Sequence, residues 1–241
     1  MDVSGKITII TGASEGIGRA TARCFAEAGA KVVLVARSCE RLEELAEELR
    51  LQKSDVFCSP ADMRNPDAVQ RMVDQAYEHF GRIDILVNNA GQSAAGPVAQ
   101  IDIGHFREIM ELNVYGALFA IQAVVPKMRL GGGGVILNIS SMVSKLRLPG
   151  LGTYAATKAA LNALSVTARV ELAAENIRVI TVFPRTTATD FGKHAVGDMA
   201  LRERQRTRAA SSGQPVDSPE HVAMKILQAA QTEPEEIYME G

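Results

Sequence analysis

Cysteine is scarce in this sequence, and what there is has no pattern. Cys24, Cys39 and Cys58 are an odd number without C-x-x-C spacing, so they read as free thiols and exclude a disulfide framework or a cysteine-based zinc site. The four histidines, His79, His105, His194 and His221, are scattered without the close spacing of metal ligands, and no metal is implied. A strong charge of either sign is also missing: the net charge of −2 offers no basic footprint for nucleic acid. No long uninterrupted apolar run occurs, which excludes a membrane span. The opening MDVSGKITII lacks the charged, then apolar, then small-residue order of a secretory signal, so a cytoplasmic location is the expectation. What is plentiful is apolar material. Of 241 residues, 46% are hydrophobic and 22% charged, enough to build the core of one large domain.

From Lys6 onward, short β-rich apolar runs alternate with longer helical patterns, the mark of βαβ units and a parallel sheet. The predicted strands are Lys6 to Ile10, Lys31 to Ala36, Val56 to Ser59, Ile83 to Asn88, Val135 to Ser140, Ile177 to Phe183 and a short Ile237 to Met239. They are apolar nearly throughout, as strands covered on both faces should be. The predicted helices are Ile17 to Ala28, Cys39 to Leu51, Pro66 to Phe80, a long or broken one from Asp102 to Met128, Thr153 to Glu175, and Pro219 to Gln231. Their ends carry recognisable punctuation: Asn65 as a cap with Pro66 behind it, Gly29 and Gly81 as stops. No linker or shift in composition divides residues 1–241. The fold class is therefore α/β, a single doubly wound domain of about seven parallel strands with helices on both faces.

The residues just beyond each strand are unusual for plain connections: Thr11-Gly12, Arg37, Asp62, Asn89-Ala90-Gly91, Ser140-Ser141 and Pro184-Arg185. In an open parallel sheet that edge is where ligands bind. The first connection, TGASEGIG, sets Gly12, Gly16 and Gly18 between strand and helix, where a backbone can approach a pyrophosphate and present helix N–H groups to it. The second strand ends in Ala36-Arg37-Ser38, without the acid that grips ribose hydroxyls in NAD-binding folds; Arg37 suits a 2′-phosphate instead. Tyr154 and Lys158 lie four residues apart in a helical stretch, which stacks an ammonium beside a phenol. A free tyrosine titrates near pH ~10, so acid–base work near neutrality needs its phenolate favoured by about 4 kcal/mol, and a buried cation acts in that direction.

Taken together and in this order, TGASEGIG, Asn88-Asn89-Ala90-Gly91, Asn113, Ser140-Ser141 and Tyr154-Ala-Ala-Thr-Lys158 resemble the short-chain dehydrogenase/reductase family in its single-domain, Rossmann-fold branch, in register from about Lys6 to Phe191. The resemblance implies hydride transfer between a nicotinamide and a carbonyl or secondary alcohol, with Tyr154 as general acid/base. Lys158 resembles the lysine that lowers the tyrosine's pKa and bonds the nicotinamide ribose. Family spacing, thirteen residues before the tyrosine, selects Ser141 to polarise the substrate oxygen. Asn113 resembles the asparagine that holds a water in the proton relay. For the cofactor, Gly12, Gly16, Ile17 and Gly18 match the glycine-rich turn, Asn89, Ala90 and Gly91 the lining loop, and Asp62 the acid near the adenine. Ser14 and Ser38 are companions to Arg37 at the phosphate, so NADP is expected over NAD. Thr189 fits the threonine at the nicotinamide carboxamide.

One position departs from the family pattern: Arg185 replaces the glycine after Pro184, either facing the pocket to favour an anionic or polar substrate or pointing to solvent. Residues 192–216 turn polar and correspond to the substrate lid, with Arg202, Arg204, Arg206 and Arg208 either on a solvated face or meeting an acidic partner. The run Gly131 to Gly134 reads as a loose turn. Alanine-rich and apolar helix surfaces over Asp102 to Met128 and Thr153 to Glu175 suit a homodimer or homotetramer. A catalytically silent dinucleotide-binding regulator is the alternative, disfavoured because the catalytic set is whole; an isomerase or dehydratase on the same scaffold is a third.

Overall fold

The computed structural model describes residues 1–198 and 216–239. Along the chain lie β1 (Ile7–Thr11), α1 (Gly16–Glu27), β2 (Lys31–Val35), α2 (Cys39–Leu51), β3 (Val56–Cys58), α3 (Pro66–Phe80), β4 (Ile85–Asn88), β5 (Ala94–Ala95) and α4 (Ile103–Met110). A π-helical turn, Glu111–Tyr115, joins α4 to α5 (Gly116–Leu130). Then come β6 (Gly134–Ile139), α6 (Gly152–Glu171), β7 (Ile177–Phe183), β8 (Val196–Gly197), α7 (Pro219–Thr232) and β9 (Glu236–Tyr238). Seven strands form one parallel sheet in the order β3-β2-β1-β4-β6-β7-β9. The order reverses beside β1, so the β1 and β4 connections flank a crevice at the carboxyl edge.

Alternation along each strand feeds two cores. Ile10, Val32 and Leu34 pack with Phe25, Leu42, Leu49 and Ile226 on one face, while Ile9, Val33 and Val35 pack with Val69, Met72, Val124 and Met128 on the other. Each such fully buried aliphatic side chain contributes about 2 kcal/mol of transfer free energy. The strands are therefore apolar on both sides for a reason the sheet makes plain: neither face meets water.

Several expectations change in detail. The predicted Asp102 to Met128 helix is one rod running to Leu130 with a π turn in its middle, where the Gly116 N–H reaches back five residues to the Glu111 carbonyl. By length and composition Ile103–Leu130 passes for a membrane-crossing helix, against the reading from apolar runs, yet 56% of its most apolar window is buried and Ala120, Val124 and Met128 are fully inside the core. The last turn predicted for Thr153 to Glu175 is a separate 3-10 segment, Ala173–Glu175, ended by Asn176 in the left-handed region. The Gly131 to Gly134 turn is not loose: Gly133 has φ +127, and a Cβ there would stand 2.3 Å from the Asn176 carbonyl oxygen. The pairing of β5 with β8 has no counterpart in the sequence reading, because two-residue strands carry no periodicity.

Candidate active site

The two central connections of the crevice hold each other. The Thr11 hydroxyl donates to the Val87 carbonyl (3.2 Å) and accepts from the Asn89 and Ala90 N–H groups (3.0 Å each). The Asn89 amide donates back to the Thr11 and Gly12 carbonyls at 2.9 and 3.3 Å. Gly12 has φ +69, and a Cβ there would meet Asn89 Nδ2 at 2.8 Å; a Cβ on Gly18 would meet the Gly12 oxygen at 2.1 Å. These two glycines serve the close packing of turn, loop and helix. Gly16, at φ +55, faces Thr189 across the gap. Glu15, in the N-cap position of α1, makes no capping bond and pairs with Arg41 at 3.0 Å instead. A helix start without a side-chain cap, set behind a glycine turn, fits a pyrophosphate.

At the β2 edge Arg37 is exposed, Ser38 caps α2 by accepting from the Arg41 N–H (3.4 Å), and Ser14 and Ile17 are half-buried in the turn. Asp62 is held by Arg64 in a forked pair (Nη2 2.5 Å, Nε 3.0 Å), which keeps its carboxyl below the usual range, with Arg37 adding to the effect. This edge presents Arg37 as an exposed cation, with the adjacent acid already matched by Arg64.

The chemistry-bearing side chains gather where β4, β6 and α6 meet. Lys158 is buried, and its Nζ donates to the Ile139 carbonyl (2.7 Å) while lying 5.9 Å from the centre of the Tyr154 ring. Tyr154 is buried too, hydrogen-bonded with Ser141, and tilted against Phe191 with ring centres 5.9 Å apart. Burial pushes the phenol above the ordinary tyrosine value, with the Ser141 bond opposing it, and pushes the Lys158 ammonium down to about 8. Desolvation of the phenol thus works against the lowering expected from the neighbouring lysine. Both groups have lost their hydration, and the ammonium is turned to a backbone carbonyl.

Asn113 sits in the π turn with its amide committed. It accepts from the Gln92 N–H (2.8 Å) and donates to the Gln92 carbonyl (2.9 Å) and the Thr157 hydroxyl (3.0 Å). Thr157 in turn donates to the Tyr154 carbonyl (2.8 Å). The side chain therefore fastens the loop after β4 to α6. Gly91 lets them meet, since a Cβ there would stand 3.1 Å from Asn113 Oδ1 and 3.6 Å from Lys158 Nζ. Thr189 caps a 3-10 turn, Asp190–His194, by accepting from the Phe191 N–H (3.4 Å).

Arg185 follows neither of its two readings. Its guanidinium forks onto Asp217 at 3.0 and 3.2 Å, and the Asp217 carboxylate is only 7% exposed. Backbone bonds reinforce the pair, from the Asp217 N–H to the Thr186 carbonyl (2.9 Å) and from the Ala188 N–H to the Asp217 carbonyl (2.9 Å). Replacing Arg185 with glycine leaves that carboxylate buried without its main counter-charge. The expected result is a melting temperature a few degrees lower in a thermal scan, with no selective loss toward anionic substrates. The run from Arg202 to Arg208 lies outside the described residues. Thr157 and Phe191 are site residues that sequence reasoning missed; only the i, i+3 spacing of Tyr154 and Thr157 hinted at one of them. Among the described residues no cluster has the makings of a metal site.

With this geometry in view, the comparisons with known proteins agree. Residues 6–199 match the family model described as short chain dehydrogenase, and the chain belongs to that family of oxidoreductases. A short chain dehydrogenase/reductase of Aspergillus oryzae, astE, is 34% identical over 228 residues, covering 93% of this chain and 87% of the relative. The crystal structure of L-sorbose reductase from Gluconobacter frateurii complexed with NADPH and L-sorbose superposes with a TM-score of 0.88 at 31% identity, over 100% of this chain and 98% of that one. A short chain dehydrogenase/reductase from Burkholderia phymatum in complex with NAD gives 0.90 at 26% identity, over 99% and 90%.

Proposed function

We propose that this chain is an NADP(H)-dependent oxidoreductase acting on a carbonyl compound or the corresponding secondary alcohol. The observation that carries the reading is the convergence of Ser141, Tyr154 and buried Lys158 at the carboxyl edge of the sheet, beside a glycine turn and an uncapped helix start. A bound nicotinamide dinucleotide supplies the hydride donor or acceptor. The Tyr154 phenol, kept protonated by burial, gives its proton to the substrate oxygen in reduction and regains it in the reverse direction. The Ser141 hydroxyl donates a hydrogen bond to the same oxygen as charge develops there. Lys158 supplies a cation beside the phenol. Asn113 and Gly91 keep that cation and the loop after β4 in register, and Thr189 faces the turn from across the crevice. The protonated phenol supports the reductive direction at neutral pH. Exposed apolar residues on α6, including Leu164, Val166 and Val170, with Tyr115 on the π turn, support a homodimer or homotetramer.

Preference for NADP rests on Arg37. Direct titration with NADPH and with NADH should show the tighter binding for NADPH. Arg37→Ala should then weaken NADPH by about tenfold or more, the worth of one charge-assisted contact, and leave NADH unchanged. A wild-type preference for NADH overturns the cofactor assignment. Binding of neither moves the silent regulatory reading forward.

A further inference from the structure

Tyr154, Lys158 and Asn162 succeed one another at four-residue spacing, so they form one stripe along α6. The first two carry the proposed chemistry; the third has no part in it, yet its amide is engaged at both ends. The Ser140 hydroxyl donates to Asn162 Oδ1 (2.5 Å), and Asn162 Nδ2 donates to the Ser144 hydroxyl (2.9 Å). Ser144 passes the connection on, donating to the main-chain carbonyl of Ser141 (2.7 Å). From the other side, the Ser140 N–H is fixed to the Val182 carbonyl on β7 (2.8 Å). Ser141 is thus strung between two points tied to one amide, at the place where β6 ends and a 3-10 turn (Met142–Lys145) begins. Its own hydroxyl also accepts from the Val143 N–H (3.2 Å), so the orientation of that hydroxyl depends on how this turn is held.

We propose that Asn162 is a positioning residue for the reaction: by bracing Ser140 and Ser144 it sets where the Ser141 hydroxyl stands relative to the Tyr154 phenol. The inference rests on the proposed roles of Ser141 and Tyr154. Misplacement of a polarising group by a fraction of an ångström costs turnover without touching the dinucleotide crevice, because none of the Asn162 bonds reaches the β1 or β4 connections.

The test is a mutant cycle read in two ways, by NADPH oxidation with a panel of small ketones and aldehydes using 4-nitrobenzaldehyde as reference, and by direct NADPH titration. Asn162→Ala should lower kcat about tenfold while the NADPH dissociation constant stays as in wild type. Ser144→Ala, a half-buried and mild change, should lower kcat in the same sense but less. The decisive arm is Asn162→Ala in a Ser141→Ala background, where no further loss of kcat is expected if Asn162 acts through Ser141. An equal loss in both backgrounds, or a loss that follows the melting temperature, overturns the positioning role and leaves a structural one. Ser141→Ala with unchanged turnover, or a wild type inactive on the whole panel, overturns the reading of the site itself and the inference with it.

Discussion

Tyr154→Phe should reduce turnover by about 10²-fold or more while NADPH binding is unchanged. The substitution removes one hydroxyl and keeps the ring against Phe191, so the packing that holds α6 survives and the melting temperature should barely move. What disappears is the only proton the phenol can give to a substrate oxygen, and positioned proton transfer is worth on the order of 10²–10⁴ in rate. Ser141 would still polarise the oxygen, which leaves a residual rate instead of none. Stopped-assay turnover and a binding titration on the same preparation separate the two effects. Near-normal turnover in this variant would sink the acid–base assignment.

Lys158→Met should make the protein more stable at pH 7 while lowering its activity at least tenfold. The lysine is 4% exposed, and burial holds its ammonium at about 8 against an ordinary value of 10.5. Between those values the unfolded chain binds more protons than the folded one, so stability rises with pH across that window and the full cost is present below pH 8. The cost is about 3 kcal/mol, offset in part by the bond to the Ile139 carbonyl, worth about 1 kcal/mol. Methionine fills similar space without a charge, so a net gain of about 2 kcal/mol is expected at pH 7. Thermal melts of both proteins from pH 6 to pH 10 should show curves that start apart and converge. Parallel curves would mean that the ammonium is not held at a cost by its surroundings. A stability gain bought with lost function is the pattern expected where a site keeps a buried charge for its chemistry.

The parallel sheet, its seven strands and the glycine turn were legible in the sequence because they depend on local periodicity and on residue types with few alternative uses. Tyr154 and Lys158 were legible for the same reason, since four-residue spacing on a helix is a local fact. What stayed hidden were pairings across long stretches of chain. Arg185 and Asp217 are 32 residues apart, and nothing in Pro184-Arg185 announces a carboxylate. Asn89 was read as lining the crevice, but nothing in its spacing announced that its amide also bonds carbonyls 77 and 78 residues earlier. The opposing effect of burial on the phenol was not legible, because a charge partner can be read from spacing but desolvation depends on everything packed around it.

The stretches that carry Asp198 and Asp217 are each fastened by backbone bonds. The Asp198 N–H bonds the Ala95 carbonyl (2.8 Å) just past the β5–β8 pair, where Gly197 at φ +98 leaves no room for a side chain. Asp217 is clamped to Thr186, Ala188 and Arg185. Most of these fastenings are main-chain bonds, which do not depend on the identity of a side chain. Side chains along Thr186 to Ala188 and around Gly197 can therefore be exchanged with little movement of the backbone that carries them.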